Sequence, residues 1–535
     1  MRTASALLRG LGPFLKRGVD PDEARSRLEW QLKSRHLAFG DLVRRAVFEN
    51  TGSPYRRLLD WAGITLDDVT ELAATKGVEG ALRSLHDHGV YVTLEEFKGL
   101  RPLSRPGLEL ELRPEDFDNP LATLHYTART SGSRGGPRRI LVDLDLLEHE
   151  SAYHALFLEA AHARRGPLAI WHPAPPGAVG IKNALIQAKL GRPPERWFSQ
   201  TRSVDASRRH ELFTRALVVS ARLHGSRMPR PEHTPAADVG RVVDWLARAR
   251  AAGTPPVLIT TPSACVRTCR EAIDTGRDIS DTLFVLVGEP FTAAKAEVVA
   301  AAGARAYAHY AMAEAGLIGL ACQDADALDD VHLTSDKVAT IQGAAPTGRM
   351  ETTSALFHTT ISPASPKMML NVESGDMGVI ERRECGCRAL PRGYRRHLHS
   401  IRSYEKLTSE GMCFLGDDLF ELIERVLPTQ FGGRTTDYQL TEHERDGLPV
   451  VGVRVSTSVG PLEENAIVGT VLSFLRDRGV AQQMMAEVWE QGHTLRLERG
   501  DPHATASGKI LPLHTLVGPV TQGDPRIAVP SGAGT

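Results

Sequence analysis

From about residue 120 the chain alternates short apolar runs with amphipathic segments, and this alternation most narrows what it can fold into. RRILVDL, PLAIWHP, PVLIT, TLFVLVG and ARAYAHY are strand-like, and between them ALFLEAAHARR, RVVDWLARARAAG and AAKAEVVAAAG carry apolar residues at helical spacing. Strands separated by helices need crossover connections, so the pattern predicts an α/β fold with largely parallel sheets. A chain of 535 residues exceeds one ordinary core, and two or three domains are expected.

Residues 20 to 100 read as helical, as in LEWQLKSRHLAFGDLVRRAVFE and VEGALRSLHDHGV, and form a lead-in over residues 1–100. SRMPRPEHTPAADVG (226–240) reads as a surface loop. From about residue 403 the pattern restarts with a helix (DLFELIERVL), a strand (PVVGVRVSTS), a helix (AIVGTVLSFLRDRG) and a strand (HTLRLER). The expected domains are therefore a large N-terminal one over 1–402 and a small α+β one over 403–517. A Gly-, Pro- and Ser-rich tail (518–535) is expected to fray.

Composition removes several function classes. Lys+Arg number 64 against 65 Asp+Glu, which leaves no basic field for nucleic acid or an anionic membrane. Aromatic residues are 6%, too few to suggest a stacking platform for single strands. No run of about 18 apolar residues predicts a membrane span, and the N-terminal apolar run is short and broken by Arg9, unlike a secretory leader. Cys265, Cys269, Cys322, Cys385, Cys387 and Cys413 are sparse, which fits reduced thiols and a cytoplasmic enzyme of small molecules.

The chemistry-bearing stretches are TSGSRGGPR (130–138) and, almost four hundred residues later, SGKI (507–510). In the first, Gly132, Gly135 and Gly136 permit tight turns and close backbone approach to a ligand. Thr130, Ser131 and Ser133 add hydroxyl donors, while Arg134 and Arg138 add charge-assisted contacts to phosphate oxygens. A strand follows instead of a helix, so this is not a P-loop of the strand–GxxxxGK[ST]–helix type.

GEP (288–290), YAMAE (310–314), SGD (374–376), IRSYEKLTSEG (401–411) and ASGKI (506–510) follow in that order. The series resembles the adenylate-forming superfamily of acyl-CoA synthetases, peptide-synthetase adenylation domains and luciferases. CGC (385–387) and the lead-in SPYRRLLDWAGI (53–64) look most like the phenylacetate–CoA ligase branch. The resemblance runs from about residue 50 to 515. It implies a large α/β domain, a small mobile α+β lid and a hinge near 400–411.

By the same resemblance the glycine-rich loop holds the β- and γ-phosphates of ATP. Gly288 and Glu289 lie near adenine and the acyl pocket, Tyr310 stacks on adenine, and Glu314 binds Mg²⁺ through carboxylate oxygen. Asp376 takes the ribose hydroxyls, Arg402 contacts the ribose, and Lys509 neutralises charge building between carboxylate and α-phosphate. The chain departs from the usual TSG[ST]TGxPK at Arg134, Gly136 and Arg138, from YGxTE at Ala311 and Ala313, and at the hinge, where Tyr404 and Glu405 stand.

Cys385 and Cys387 set two thiols on one turn, and with Cys322 and His332 they would suit a tetrahedral structural Zn²⁺. Cys265, Cys269 and Cys413 read as ordinary buried cysteines, and His172 and His309 as structural histidines near an acyl pocket.

The resemblance implies activation of a carboxylic acid by MgATP and transfer of the acyl group to a thiol. The acceptor is coenzyme A or the phosphopantetheine of a carrier protein, and an aryl or phenylacetate-like acid is favoured. An acyl-protein synthetase of fatty acyl groups and a nucleotide-binding protein without catalysis are the alternatives. Neither nucleic acid nor membrane insertion is expected.

Overall fold

The computed structural model describes residues 2–123, 126–129, 139–175, 177–201, 208–344, 354–404, 407–412, 414, 417–504 and 510–515. The glycine-rich loop 130–138, Cys413, Glu405 and Lys509 lie outside the described residues. Among the described residues no helix is long and apolar enough to cross a membrane.

The apolar runs after residue 160 pair into a six-stranded sheet. Its order is Arg305–Ala308, Leu283–Leu286, Val257–Thr260, Leu168–Trp171, Arg196–Ser199, Pro231–His233, and every pairing is parallel. The three middle strands are buried throughout because both faces are covered, as continuous apolar sequence requires. Leu168 and Ile170 meet Leu156 and Leu185 of the helices Leu144–Ala160 and Ala178–Lys189. Ala169 and Trp171, pointing the other way, meet Leu246 and Cys269 of the helices Gly240–Ala251 and Pro262–Thr275.

The segment 226–240, expected as a surface loop, instead supplies the edge strand Pro231–His233. Proline at the first residue of an edge strand costs no interior ladder bond, so its presence did not exclude pairing.

A second, seven-stranded sheet runs in the order Tyr310–Met312, Gly316–Ala321, Val331–Leu333, Arg396–Ser403, Val372–Arg382, Ala355–Thr360, Val338–Gly343. It is antiparallel throughout, so the expectation of parallel sheets describes the first sheet and not this one. The chain leaves the parallel sheet at Ala308 and enters the antiparallel one at Tyr310. Only His309 separates the two, which places Tyr310 and the turn after it at the junction of the sheets.

The lead-in is helical, as its periodicity predicts, and Leu82, Leu85 and Val90 pack against Ile341 and Phe357 of the antiparallel sheet. The helix Arg2–Lys16 buries Leu7, Leu11 and Phe14 among residues of the large domain. A separate apolar cluster forms between Leu407 and Leu513, around a four-stranded sheet and the helices Glu464–Arg476 and Val480–Gln491.

Asn371 fastens the lead-in to the sheet. It is fully buried with φ 49°, a conformation Asn tolerates better than most residues, and its Nδ2 donates to Leu82 O at 2.8 Å and Val90 O at 3.0 Å. Asn371→Ala strands two buried carbonyls and is expected to cost about 2–3 kcal/mol. Urea denaturation followed by tryptophan fluorescence measures it as a lowered midpoint.

Candidate active site

Strand register assembles the centre of the site. Asp376 stands opposite Ser403 across the antiparallel pair Val372–Arg382 and Arg396–Ser403, so the two side chains share one face. Ser403 Oγ donates to Asp376 Oδ1 at 2.5 Å, and Tyr310 Oη donates to Asp376 Oδ2 at 2.8 Å. The backbone N–H of Asp376 donates to Ser374 Oγ at 3.2 Å.

Behind Tyr310 lies His358, whose Nε2 is 3.4 Å from Tyr310 Oη and whose Nδ1 is 3.0 Å from Thr340 Oγ1. Because the phenol proton goes to Asp376, the consistent tautomer of His358 carries its proton on Nε2 and accepts from Thr340 on Nδ1. Burial, and then the negative charge of Asp376, push the Tyr310 phenol well above its usual range. Tyr310 is therefore a neutral donor at physiological pH. His358, Thr340 and Ser403 belong to no sequence motif, and sequence reasoning did not find them.

Glu314 lies in the turn between Tyr310–Met312 and Gly316–Ala321 and is ion-paired with Lys98, another residue that the sequence did not flag. Arg402 pairs in register with Met377, one residue out of phase with Asp376. Its side chain turns to Asp329, with Nη1 3.1 Å from Oδ2, and also donates to Ile401 O at 2.6 Å. Asp329 in turn accepts the backbone N–H groups of Ser400 and Ile401 at 2.9 and 2.8 Å. Ser403 thus occupies the place beside Asp376, and Arg402 does not. Tyr404 donates to Glu373 on the neighbouring strand.

Gly288 has φ +99°, and a side chain there would come within 3.5 Å of Gly411 Cα. Glu289 is turned inward. It accepts from Ser263 Oγ at 2.5 Å and from the Ser263 N–H at 3.2 Å, and lies 3.6 Å from Lys295 Nζ. Next to this packing lies Glu410, at φ 60° and buried, gripped by Arg267 through two hydrogen bonds of 2.8 and 2.6 Å. Lys295 and Thr292 reach Glu444 at 3.4 and 2.8 Å. Glu289 therefore sits in the contact between the two halves of the chain.

His309 and His172 are buried, and burial holds His172 down at about 4 and His309 well below its usual range, so both rings are neutral. His309 Nδ1 accepts the Ala321 N–H at 3.1 Å. Cys265 and Cys269 are fully buried.

Cys322, His332, Cys385 and Cys387 come from two ends of the antiparallel sheet's connections and converge. Their ligand atoms all lie within 4.8 Å of one another. Cys385 Sγ is 3.7 Å from His332 Nε2, while His332 Nδ1 donates to Tyr394 O at 2.9 Å. A tetrahedral zinc–thiolate centre has ligand atoms about 3.8 Å apart, from bonds of about 2.3 Å. The backbone bond at Nδ1 leaves Nε2 as the coordinating atom, the usual second-sphere arrangement. The donor set fits Zn²⁺.

Gln439 marks the approach to the segment carrying Lys509. Its Nε2 donates to His503 O at 3.1 Å and Leu511 O at 2.7 Å, and its Oε1 accepts the His503 N–H at 2.8 Å. One buried amide thus ties together the described residues on either side of 505–509.

No family model and no curated protein sequence matches the chain. Its fold is matched by a solved 2-hydroxyisobutyryl-CoA ligase in complex with 2-HIB-AMP and CoA in the thioesterification state. The match is 14% identical and covers 93% of this chain and 91% of that one, with a TM-score of 0.51. An o-succinylbenzoate CoA synthetase from Bacillus subtilis (11% identity, 73% and 69% covered, TM-score 0.41) and a fatty acid AMP ligase from Legionella pneumophila (13%, 73% and 68%, 0.34) are more distant. A large α/β domain followed by a small C-terminal domain is thus the architecture shared with an acyl-CoA ligase.

Burial pushes the Glu289 carboxyl up to about 7 from the ordinary 4.5. Between these values the folded chain holds a proton that the unfolded chain has lost, so stability falls as pH rises through the window. Glu289→Gln stays neutral and removes this fall. Melting temperatures from about pH 5 to 7.5 should shift in the variant's favour as pH rises.

Proposed function

We propose that the chain is an AMP-forming acid–thiol ligase. It joins a carboxylic acid to AMP at the expense of ATP and then hands the acyl group to a thiol. The observation that carries the reading is the convergence of Tyr310, Ser403 and Asp376 on one another, with Glu314 in the turn that follows Tyr310. The fold shared with an acyl-CoA ligase supports it.

In the first step a carboxylate oxygen attacks the α-phosphorus and pyrophosphate leaves. In the second a thiolate sulfur attacks the acyl carbon and AMP leaves. Asp376 is the acceptor for the ribose hydroxyls, and its carboxylate is already oriented by Tyr310 and Ser403. The glycine-rich loop 130–138 would take the terminal phosphates, with Arg134 and Arg138 supplying charge. Lys509 would place an ammonium against the negative charge that grows during adenylation.

Mg²⁺ suits the site, since it is commonly held by one or two carboxylates together with phosphate oxygens, and Glu314 offers the carboxylate. When bound it would neutralise phosphate charge. Lys98 occupies the same carboxylate and would give way or share it. The small domain, from about residue 403, would turn about a hinge near 400–411 so that one site serves both steps.

Coenzyme A is the proposed acceptor, with a carrier-protein phosphopantetheine using the same chemistry, and an aryl acid of the phenylacetate type is the proposed substrate. The cytoplasm is its proposed location. ATP–pyrophosphate exchange over a panel of aryl and aliphatic acids tests the reading. Acid-dependent exchange should fall by at least about 100-fold in Lys509→Ala, the scale on which a lost transition-state charge contact acts. ATP binding without exchange for any acid would favour a nucleotide-binding protein without catalysis.

Cys322, His332, Cys385 and Cys387 would hold a structural Zn²⁺ that staples the end of the antiparallel sheet. Their convergence and the hydrogen bond at His332 Nδ1 support this. Purified protein should carry about one zinc per chain by mass spectrometry, and a Cys385→Ser/Cys387→Ser variant should lose it along with thermal stability.

A further inference from the structure

The turn that carries Glu314 is held by a buried ion pair some distance along the chain on either side. Glu150, on the helix Leu144–Ala160, accepts the Leu317 N–H at 2.7 Å and the Lys337 ammonium at 2.9 Å on the same oxygen, Oε1. Lys337 Nζ also donates to Ala315 O at 2.7 Å. The Lys337 side chain is fully buried and that of Glu150 is 6% exposed.

Both backbone groups that this pair grips flank Glu314. Between them Gly316 has φ +72°, and a Cβ there would lie 1.9 Å from Glu150 Oε1. The turn therefore needs glycine both for its backbone conformation and for the approach of Glu150. Lys337 is itself fixed, since its carbonyl accepts the N–H groups of Ile361 and Ser362 at 2.9 and 3.0 Å.

A buried ion pair is a poor way to add stability, because two charges must leave water and apolar residues of similar volume serve as well. What it supplies here is geometry, two fixed contacts on either side of one carboxylate. Burial alone would raise the Glu150 carboxyl, yet the Lys337 charge and the hydrogen bonds hold it below its usual value, so the pair is ionised at neutral pH.

We infer that Glu150 and Lys337 are positioning residues for Glu314, clamping the 313–317 turn so that its carboxylate is presented to the magnesium ion of bound ATP. This rests on the ligase reading, in which Glu314 is the carboxylate offered to the metal.

The test compares wild type with Glu150→Leu/Lys337→Met, which exchanges the pair for apolar side chains and so leaves no lone buried charge. Glu150→Gln, which keeps an acceptor for Leu317, serves as the conservative control. Two quantities are read in the folded proteins, namely the ATP dissociation constant with magnesium and with EDTA, and amide exchange of the peptide spanning Leu317.

In the double variant the affinity in EDTA should be unchanged, the gain from magnesium should shrink about tenfold, and Leu317 exchange should accelerate at least about tenfold. The control should stay near wild type in exchange. Should the double variant fail to fold, Lys337→Met gives the same comparison. A folded variant that keeps the wild-type magnesium gain overturns the inference. Wild type that binds ATP equally with and without magnesium overturns the role of Glu314 itself, and with it the ligase reading on which the clamp depends.

Discussion

The passage of the chain from one sheet to the other, between Ala308 and Tyr310, is the constraint on which the site depends. A parallel strand ends there and an antiparallel one begins, so whatever follows Ala308 must lie in the cleft between the sheets. Tyr310 anchors this crossing by its hydrogen bond to Asp376, which sits four strands further along the antiparallel sheet. The register that sets Asp376 opposite Ser403 then completes the carboxylate's surroundings. A slip of one residue would place Arg402 there and turn Ser403 away.

The contacts between the large domain and the C-terminal part are of another kind. Glu289, Glu410 and Glu444 meet Arg267 and Lys295 across that boundary, and three carboxylates share two cations. Such a contact holds its geometry closely while tolerating changes in protonation, which suits a boundary that has to open and re-form. Glu410 adopts a left-handed conformation in the short segment joining the two parts, where a bound Arg267 offsets the backbone cost.

Much of the fold was legible in the sequence, and the reasons are physical. Strands such as LAIW, VLIT and LFVL are buried on both faces, so their apolar runs are continuous and easily read. The antiparallel sheet was harder. HLHSIRS mixes polar and apolar residues because it carries site side chains and metal-proximal histidines, and its periodicity is blurred. The edge strand at Pro231–His233 reads as a loop because edge pairing asks little of its side chains. Of the site, Tyr310, Glu314 and Asp376 could be picked out because they stand within motifs. Lys98, Glu150, Lys337, Thr340, His358 and Ser403 could not, since each acts through a partner far away in the chain. Arg402 shows the limit of a motif. Neighbouring residues on a strand face opposite ways, and it is Ser403 that shares a face with Asp376.

The central claim is that Asp376 is held ready for the hydroxyls of a nucleotide ribose. Isothermal titration of AMP and 2′-deoxy-AMP into wild type and Asp376→Asn tests it most directly, because the pairwise term separates from general loss of affinity. The account predicts that removing the 2′-hydroxyl weakens wild-type binding about tenfold or more and has little further effect in the variant. Equal losses in both proteins, or wild type that does not distinguish the two nucleotides, would contradict it.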